Sequence, residues 1–384
     1  VVVDLSRALA GPHAAMMLGD LGARVIKVEV PGRGDDTRSW GPPFIQGEPV
    51  GDGAEPVSES SYFLSCNRNK ESITLDLKSA EGKQTLTRLI RRADVLVENF
   101  RTGVLDRLGF SVEQLHELNA RLVVLSITGF GHDGPQGGRA GYDQIAQGEA
   151  GLMSLTGDAA TGPTRVGVPI SDLLAGMYGA FGVVAALHER DRSGRGTVVR
   201  TSLLAAAVGA HAFQGTRWTV AGEVPEGTGA HHPSICPYGL YQCADGLVQI
   251  AVGSETHWRA FATEFSLDQP GWQTNALRVA DSAAVNAAIN GAFCATKRCD
   301  LLSTLDGLGV PAGQVRTIDE VYAWDQTISQ GLLLKVDHAS LGDIELPGPP
   351  IRFDQGGRTS HLAPPTLGQH NESVLAWLEE QDED

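Results

Sequence analysis

At a usual ~150 residues per domain, 384 residues point to two domains or slightly more, and 42% hydrophobic residues exclude intrinsic disorder. The 47 glycines, about 12% against a usual ~7%, show no three-residue period; collagen is excluded and tight turns are expected. Thirty basic against 46 acidic residues give −16, which argues against a general nucleic-acid binder.

Charge is uneven along the chain. Residues 1–110 hold 14 Lys/Arg and 15 Asp/Glu, so nearly all of the net charge lies downstream. An anionic ligand is therefore expected in the N-terminal third. Residues 1–5 read as a strand and SRALAGP as a loop; Pro12, in a first helical turn, starts a helix to about Leu21 that Gly22 ends. VIKVE, residues 25–29, is a second buried strand. A third unit runs through SITLDLK at 72–78, a helix over about 80–92 and the strand VLVENF at 95–100. A fourth has Ser111 and Gln114 as a capping box, a short helix and the strand LVVLSITGF. Strands alternating with helices indicate an α/β protein with a parallel, doubly wound sheet.

The uncharged run from Leu173 to Leu187 is too short for a ~20-residue membrane span, so a buried helix is expected there, ending at HERDRSGRG. TVVRTSLLAAAVGAHAF continues as strand then helix. Residues 221–234 (AGEVPEGTGAHHPS) read as an interdomain linker. Beyond it comes a hairpin around Ala244-Asp245-Gly246, then helices to about residue 325, making a smaller α+β unit. From Leu332 short strands and Pro-rich turns return, and a terminal helix closes the chain. Five cysteines (Cys66, Cys236, Cys243, Cys294, Cys299) form no CxxC pair, so a reduced, cytoplasmic compartment is expected, with neither disulfide framework nor zinc. No signal peptide is visible, and the opening VVVDL already lies inside a strand, so preceding residues are expected.

Three groups of residues could carry chemistry. Glu29 ends the second strand as a ribose-binding acid would, but SRALAGP holds one glycine where a dinucleotide fingerprint needs three. A nicotinamide or flavin site is disfavoured. Neither GxSxG, P-loop, HExxH nor EF-hand sequences occur, and the pair His231-His232 in the linker reads as solvated or gap-filling. Asp172, directly before the long apolar helix, reads as an N-cap; the same geometry aims an ionised carboxylate that can act as a nucleophile. Gly176, Gly179 and Gly182 would let backbone or ligand approach that helix. Arg38, Arg68, Lys70, Lys78, Arg101 and Arg107 fall at strand ends or flanks, either solvated or placed where Rossmann-type sheets hold phosphates.

The segments DLSRALAGPHAAMMLGDLGARVIKVEVPGRGDDTR, NRNKESITLDLKSAEGK, DVLVENFRTGVLDRLGF, SITGFGHDGP, GYDQIAQGEAGLMSLTG and GVPISDLLAG together resemble the class III CoA-transferases, the CaiB–BaiF family. GDDTRSWGPPF, CNRNK, RAGYD and HHPSICPY are most similar to its succinate–hydroxymethylglutarate (glutarate) CoA-transferase branch. The resemblance implies a Rossmann-like large domain with an inserted small α+β domain, in an interlocked homodimer. Residues 1–220 would form the large domain, 221–330 the small one, and 331–384 the C-terminal return. It implies Asp172 as the catalytic aspartate, in place of the plain N-cap. It implies CoA contacts at Leu9, Ala10, Leu75, Lys78, Asn99, Phe100, Arg101, Arg107 and around Tyr142. Two departures stand out: the glycine-rich loop of formyl-CoA transferases leaves only Gly227-Thr228-Gly229, and a lysine two residues before Tyr142 is Ala140 here, with Arg139 beside it.

The expected activity is transfer of CoA between small (di)carboxylic acids through an aspartyl-CoA thioester, with acyl-CoA as substrate and no permanent cofactor or metal. Neither nucleic acid nor membrane is an expected partner. The alternatives are an α-methylacyl-CoA racemase of the same fold, which carries histidine where this chain has Tyr142, and a non-catalytic CoA-binding protein. A phenol of pKa ~10 is a poor base at neutral pH, which disfavours the racemase. Tyr142 itself would either donate a hydrogen bond to a reacting oxygen or pack as a buried aromatic.

Overall fold

The computed structural model describes residues 1–47 and 57–380. They form two compact units: Val1–Leu152, Arg165–Gly222 and Asp325–Asp384 make the first, Met153–Thr164 and Glu223–Trp324 the second. In the first unit the chain runs β1 (Val2–Asp4), α1 (Ala10–Asp20), β2 (Val25–Glu29), the hairpin β3 (Phe44–Gly47) and β4 (Val57–Ser60), and α2 (Ser61–Ser65). It continues through β5 (Lys70–Thr74), α3 (Ala80–Arg92), β6 (Val95–Glu98), α4 (Val104–Leu108), α5 (Val112–Leu118), β7 (Val123–Thr128) and α6 (Asp143–Glu149). After α7 (Leu152–Leu155), which passes into the second unit at Met153, the first unit resumes with α8 (Ile170–Ser193), β8 (Val198–Ser202), α9 (Leu203–Gly209) and α10 (Ala212–Thr219).

Six strands form one sheet in the order β5-β2-β1-β6-β7-β8, every neighbouring pair parallel. Numbered within the sheet this is 3-2-1-4-5-6, the doubly wound order. Val3 pairs with Ile26 on one side and Leu96 on the other, and all three are buried. Both faces are covered, as a parallel sheet demands. Val2, Val25, Val95, Leu125 and Ile127 pack toward α1, α8 and α9; Val3, Ile26, Leu96 and Val124 pack toward Leu86, Leu89, Leu115, Val374 and Leu378. The strand order reverses between β1 and β6, where such folds open a crevice at the strands' C-terminal ends.

Helix α8 departs from the expected buried helix. Its glycines face inward against the chain itself: a Cβ on Gly176 would lie 2.7 Å from the Ala10 carbonyl, and one on Gly182 2.6 Å from Val199. Its other face leaves Met177, Tyr178, Phe181 and Val184 exposed, Phe181 by 75%. Among the described residues this is the one helix long and apolar enough to cross a membrane by length and composition.

The second unit packs a sheet of β9 (Tyr238–Cys243), β10 (Gly246–Ala251) and β11 (Ala312–Gln314) with α11 (Glu255–Glu264), α12 (Asn275–Ala280), α13 (Ser282–Phe293), α14 (Arg298–Gly307) and α15 (Ile318–Tyr322). Trp258, Phe261, Val285, Ile289 and Phe293 centre its core. His231 lies edge-on to Tyr241, and His232 stacks on Tyr238. The first unit ends with α16 (Asp325–Ser329), the hairpin β12 (Leu333–His338) and β13 (Gly342–Pro347), and α17 (Asn371–Glu380). All five cysteines are free thiols.

Candidate active site

A cavity of about 490 Å³ opens in the crevice where the strand order reverses. The loops after β1, β6 and β7, and the starts of α6 and α8, supply its walls: Arg7 and Ala8, Asn99 to Thr102, Gly137 to Gln144, and Asp172 all line it.

Asp172 is half-buried in the first turn of α8, two residues inside the helix start. This corrects the N-cap expectation. Pro169 holds the cap position, and its ring has no polar atom with which to make a side-chain bond. The Asp172 carboxylate accepts no hydrogen bond from any described residue to replace the water it loses. Burial, and then the negative charge of Asp143, push it up to about 7. Asp143 is itself buried, with both oxygens bonded: Oδ1 accepts the Ser171 N–H at 2.8 Å and Oδ2 accepts from Gln147 Nε2 at 2.7 Å.

Two aromatic residues that sequence reasoning missed share this cavity. Tyr62, in α2, meets Trp40 edge-to-face with ring centroids 5.0 Å apart. Its phenol is pushed up, first by burial and then by the charge of Asp172. It therefore stays a neutral donor beside the carboxylate. Trp40 follows GDDTRS and Tyr62 follows the hairpin β3–β4, and neither position carries a local pattern that separates it from core.

The expected ligand residues divide. Ala10, Asn99, Phe100, Arg101, Arg139 and Tyr142 line the Asp172 cavity. Leu9 is buried at the N-cap of α1. Asn99 spends its amide on the protein: Oδ1 accepts the Arg7 N–H at 2.8 Å and Nδ2 donates to the Arg7 carbonyl at 2.7 Å. Arg139 pairs with Glu149 at 2.6 Å and covers the Phe130 ring. Tyr142 is 68% exposed at the cavity, which corrects the buried-aromatic expectation; it caps α6 and has no core to enter. Lys78 and Arg107 are exposed and outside this cavity, and Leu75 lines a separate one of about 290 Å³.

Several candidate cations are structural. Arg38 forks onto Glu29 at 2.8 and 2.7 Å, and Ser72 Oγ donates to the same carboxylate at 2.6 Å. Glu29 is thus saturated and has no capacity left for a ribose. Arg68 forks onto Asp20 at 2.8 and 2.6 Å, and Lys70 is buried on Asp4 at 2.9 Å. Gly176, Gly179 and Gly182 approach Ala10, Leu125 and Val199 of the same unit, a use that leaves no room for a ligand.

The profile of CoA-transferase family III matches residues 1–371. A succinate–glutarate CoA-transferase of Agrobacterium fabrum (strain C58 / ATCC 33970) is 39% identical over 384 residues, covering 98% of this chain and 94% of its own. The mouse (Mus musculus) succinyl-CoA:glutarate CoA-transferase is 35% identical over 386 residues, covering 100% of this chain and 86% of its own. The crystal structure of a CAIB/BAIF family protein from Brucella suis superposes with a TM-score of 0.85 at 38% identity, covering 98% and 97% of the two chains. The six-stranded parallel sheet with its helices matches that fold.

Proposed function

The chain belongs to CoA-transferase family III and is an enzyme of the CoA-transferase type, and from that premise we propose that it moves CoA between small dicarboxylic acids, succinate and glutarate first among them. The observation that carries this reading is the Asp172 carboxylate: unbonded, half-buried, and facing a cavity that Tyr62 and Tyr142 share.

An ionised carboxylate short of hydrogen bonds is a stronger nucleophile than one in water. Asp172 attacks the thioester carbonyl; the C–S bond breaks, leaving an aspartyl–acyl anhydride and CoA thiolate. The thiolate then attacks the aspartyl carbonyl, releasing the donor acid and leaving an aspartyl-CoA thioester. The acceptor carboxylate attacks that thioester, expelling thiolate and forming a new anhydride. Attack of the thiolate on the acceptor's carbonyl releases the new acyl-CoA and restores Asp172. No proton changes hands overall. Neutral phenols beside the carboxylate can donate to oxyanions as they form. Arg101 at the cavity wall, with Lys78 and Arg107 on the outer surface, supports placing the CoA phosphates beyond the cavity mouth.

The exposed apolar face of α8 supports a homodimer with interlocked chains, whose small domain is the second unit, Met153–Thr164 and Glu223–Trp324, in place of 221–330. Five free thiols support a reducing cytoplasm. The test is an acceptor screen with succinyl-CoA, followed by mass spectrometry of the protein. Transfer to glutarate and a CoA adduct on Asp172, lost in Asp172→Ala, are expected. Near-normal transfer by Asp172→Ala would overturn the mechanism.

A further inference from the structure

Three residues between β1 and α1, Ser6 to Ala8, form a segment with an unusual backbone, and Arg7 and Ala8 line the cavity. Ala8 has φ +65°, a left-handed conformation that alanine disfavours. No backbone partner holds it. Side chains take all six main-chain polar groups. Ser6 N–H donates to Asp4 Oδ1 at 3.0 Å, and its carbonyl accepts from Lys27 Nζ at 2.9 Å. Arg7 gives both groups to Asn99. Ala8 N–H donates to Asp35 Oδ1 at 3.2 Å, and its carbonyl accepts from the Cys66 thiol at 3.7 Å.

The anchors are themselves anchored. Lys70, Asp4, Lys27 and Asp35 form an alternating buried chain, with pairs at 2.9 Å (Lys70–Asp4), 3.9 Å (Asp4–Lys27) and 2.8 Å (Lys27–Asp35). Their side chains are at most 1% exposed. Ion pairs buried this deeply add little over a well-packed apolar core, so stability alone gives no reason for them. What they fix is geometry, and Arg7 and Ala8 stand on the same cavity as Asp172.

We propose that Asn99 and Asp35 are positioning residues for CoA transfer, holding the Arg7–Ala8 wall, with Ala8 left-handed, so that the thioester lies within bonding reach of Asp172. The inference rests on the transferase reading above. Attack by a fixed carboxylate is sensitive to placement, and a displacement near 1 Å costs on the order of 100-fold.

The experiment combines amide hydrogen exchange with steady-state kinetics on the full chain. In Asn99→Ala, the Arg7 amide should exchange at least about tenfold faster while β1 amides keep their rates. Its kcat at saturating substrates should fall about 10–100-fold with an unchanged melting temperature. Asp35→Ala should do the same at the Ala8 amide. Asp35→Asn, which keeps an oxygen for that N–H, should recover part of kcat. Where Asp35→Ala does not fold, because it strands Lys27, Asn99→Ala decides alone. An Arg7 amide that stays protected in Asn99→Ala, or a freed amide with kcat and KM within about twofold of the parent, overturns the proposal. Failure of the unsubstituted protein to transfer CoA to any acid sinks the transferase reading, and the positioning role with it. The exchange rates then still show separately whether the anchors hold the segment.

Discussion

Asp143 accepts the backbone N–H of Ser171 at 2.8 Å, so one carboxylate holds the turn of helix that carries the other, Asp172. The same negative charge adds to burial in raising Asp172 to about 7. Asp143→Asn keeps an oxygen for Ser171 but removes the charge. The acid limb of kcat/KM for acyl-CoA, expected near pH 7 because Asp172 must be ionised to attack, should move to lower pH. The new amide also faces Gln147 Nε2, whose Oε1 is held by the Val166 N–H at 2.8 Å, so kcat should fall as well. A pH–rate profile of both proteins checks this; an unmoved limb would put the raised pKa down to burial alone.

Tyr142→Phe separates chemistry from packing. With 68% of the residue exposed, loss of its hydroxyl should leave the melting temperature unchanged, within about 0.5 kcal/mol. Transfer should fall about 10–100-fold if the phenol donates to developing charge at the cavity. Unchanged transfer would assign the reacting oxygen to Tyr62 instead, which Tyr62→Phe then tests.

Lys78 and Arg107 are exposed and lie outside the Asp172 cavity, whereas Arg101 is on its wall. Charged contacts to phosphate are worth about 1.5–3 kcal/mol where they are hydrogen-bonded, so each Ala variant should weaken CoA binding by roughly one to two decades. All three are exposed, so screening acts on each: in about 1 M salt the Debye length shrinks to ~3 Å, and all three losses should diminish. Calorimetry at two salt concentrations reads both. Equal affinity of all three variants with the parent would move the phosphates elsewhere.

The doubly wound sheet was legible because its strands are short apolar runs spaced by helices with clear caps. Ser111 and Gln114 do form the expected capping box. The site was legible only where a residue type matched a family pattern. Strand β5 begins at Lys70, two residues before the expected 72, because its first residue is a buried lysine whose partner Asp4 is 66 positions away. Periodicity cannot see a charge neutralised at that distance. Glu29 looked like a ribose ligand for the same reason: its partners Arg38 and Ser72 come from separate loops and strands. Trp40 and Tyr62 reach the cavity through a hairpin that sequence reading did not anticipate, since β3 is largely exposed and lacks an apolar face.

Replacing Asp172 by asparagine gives the sharpest test of how costly this carboxylate is to the fold. In the folded chain Asp172 titrates near 7, mainly because it is buried, while in the unfolded chain it titrates near the ordinary value of 3.8. Between those two values the folded state holds a proton that the unfolded state has released. Folding stability from this group is therefore fully present below about pH 4 and is lost progressively as pH rises through 7. An asparagine side chain carries no charge at any pH, so the variant escapes this loss. Asp172→Asn should then melt close to the parent at about pH 4, and clearly above it at about pH 8. The gap should open between about pH 4 and 7 and stay constant beyond. Differential scanning calorimetry of both proteins over that range provides the measurement. Parallel stability curves for the two would mean that solvent already reaches the carboxylate, and the desolvated nucleophile would have to be abandoned.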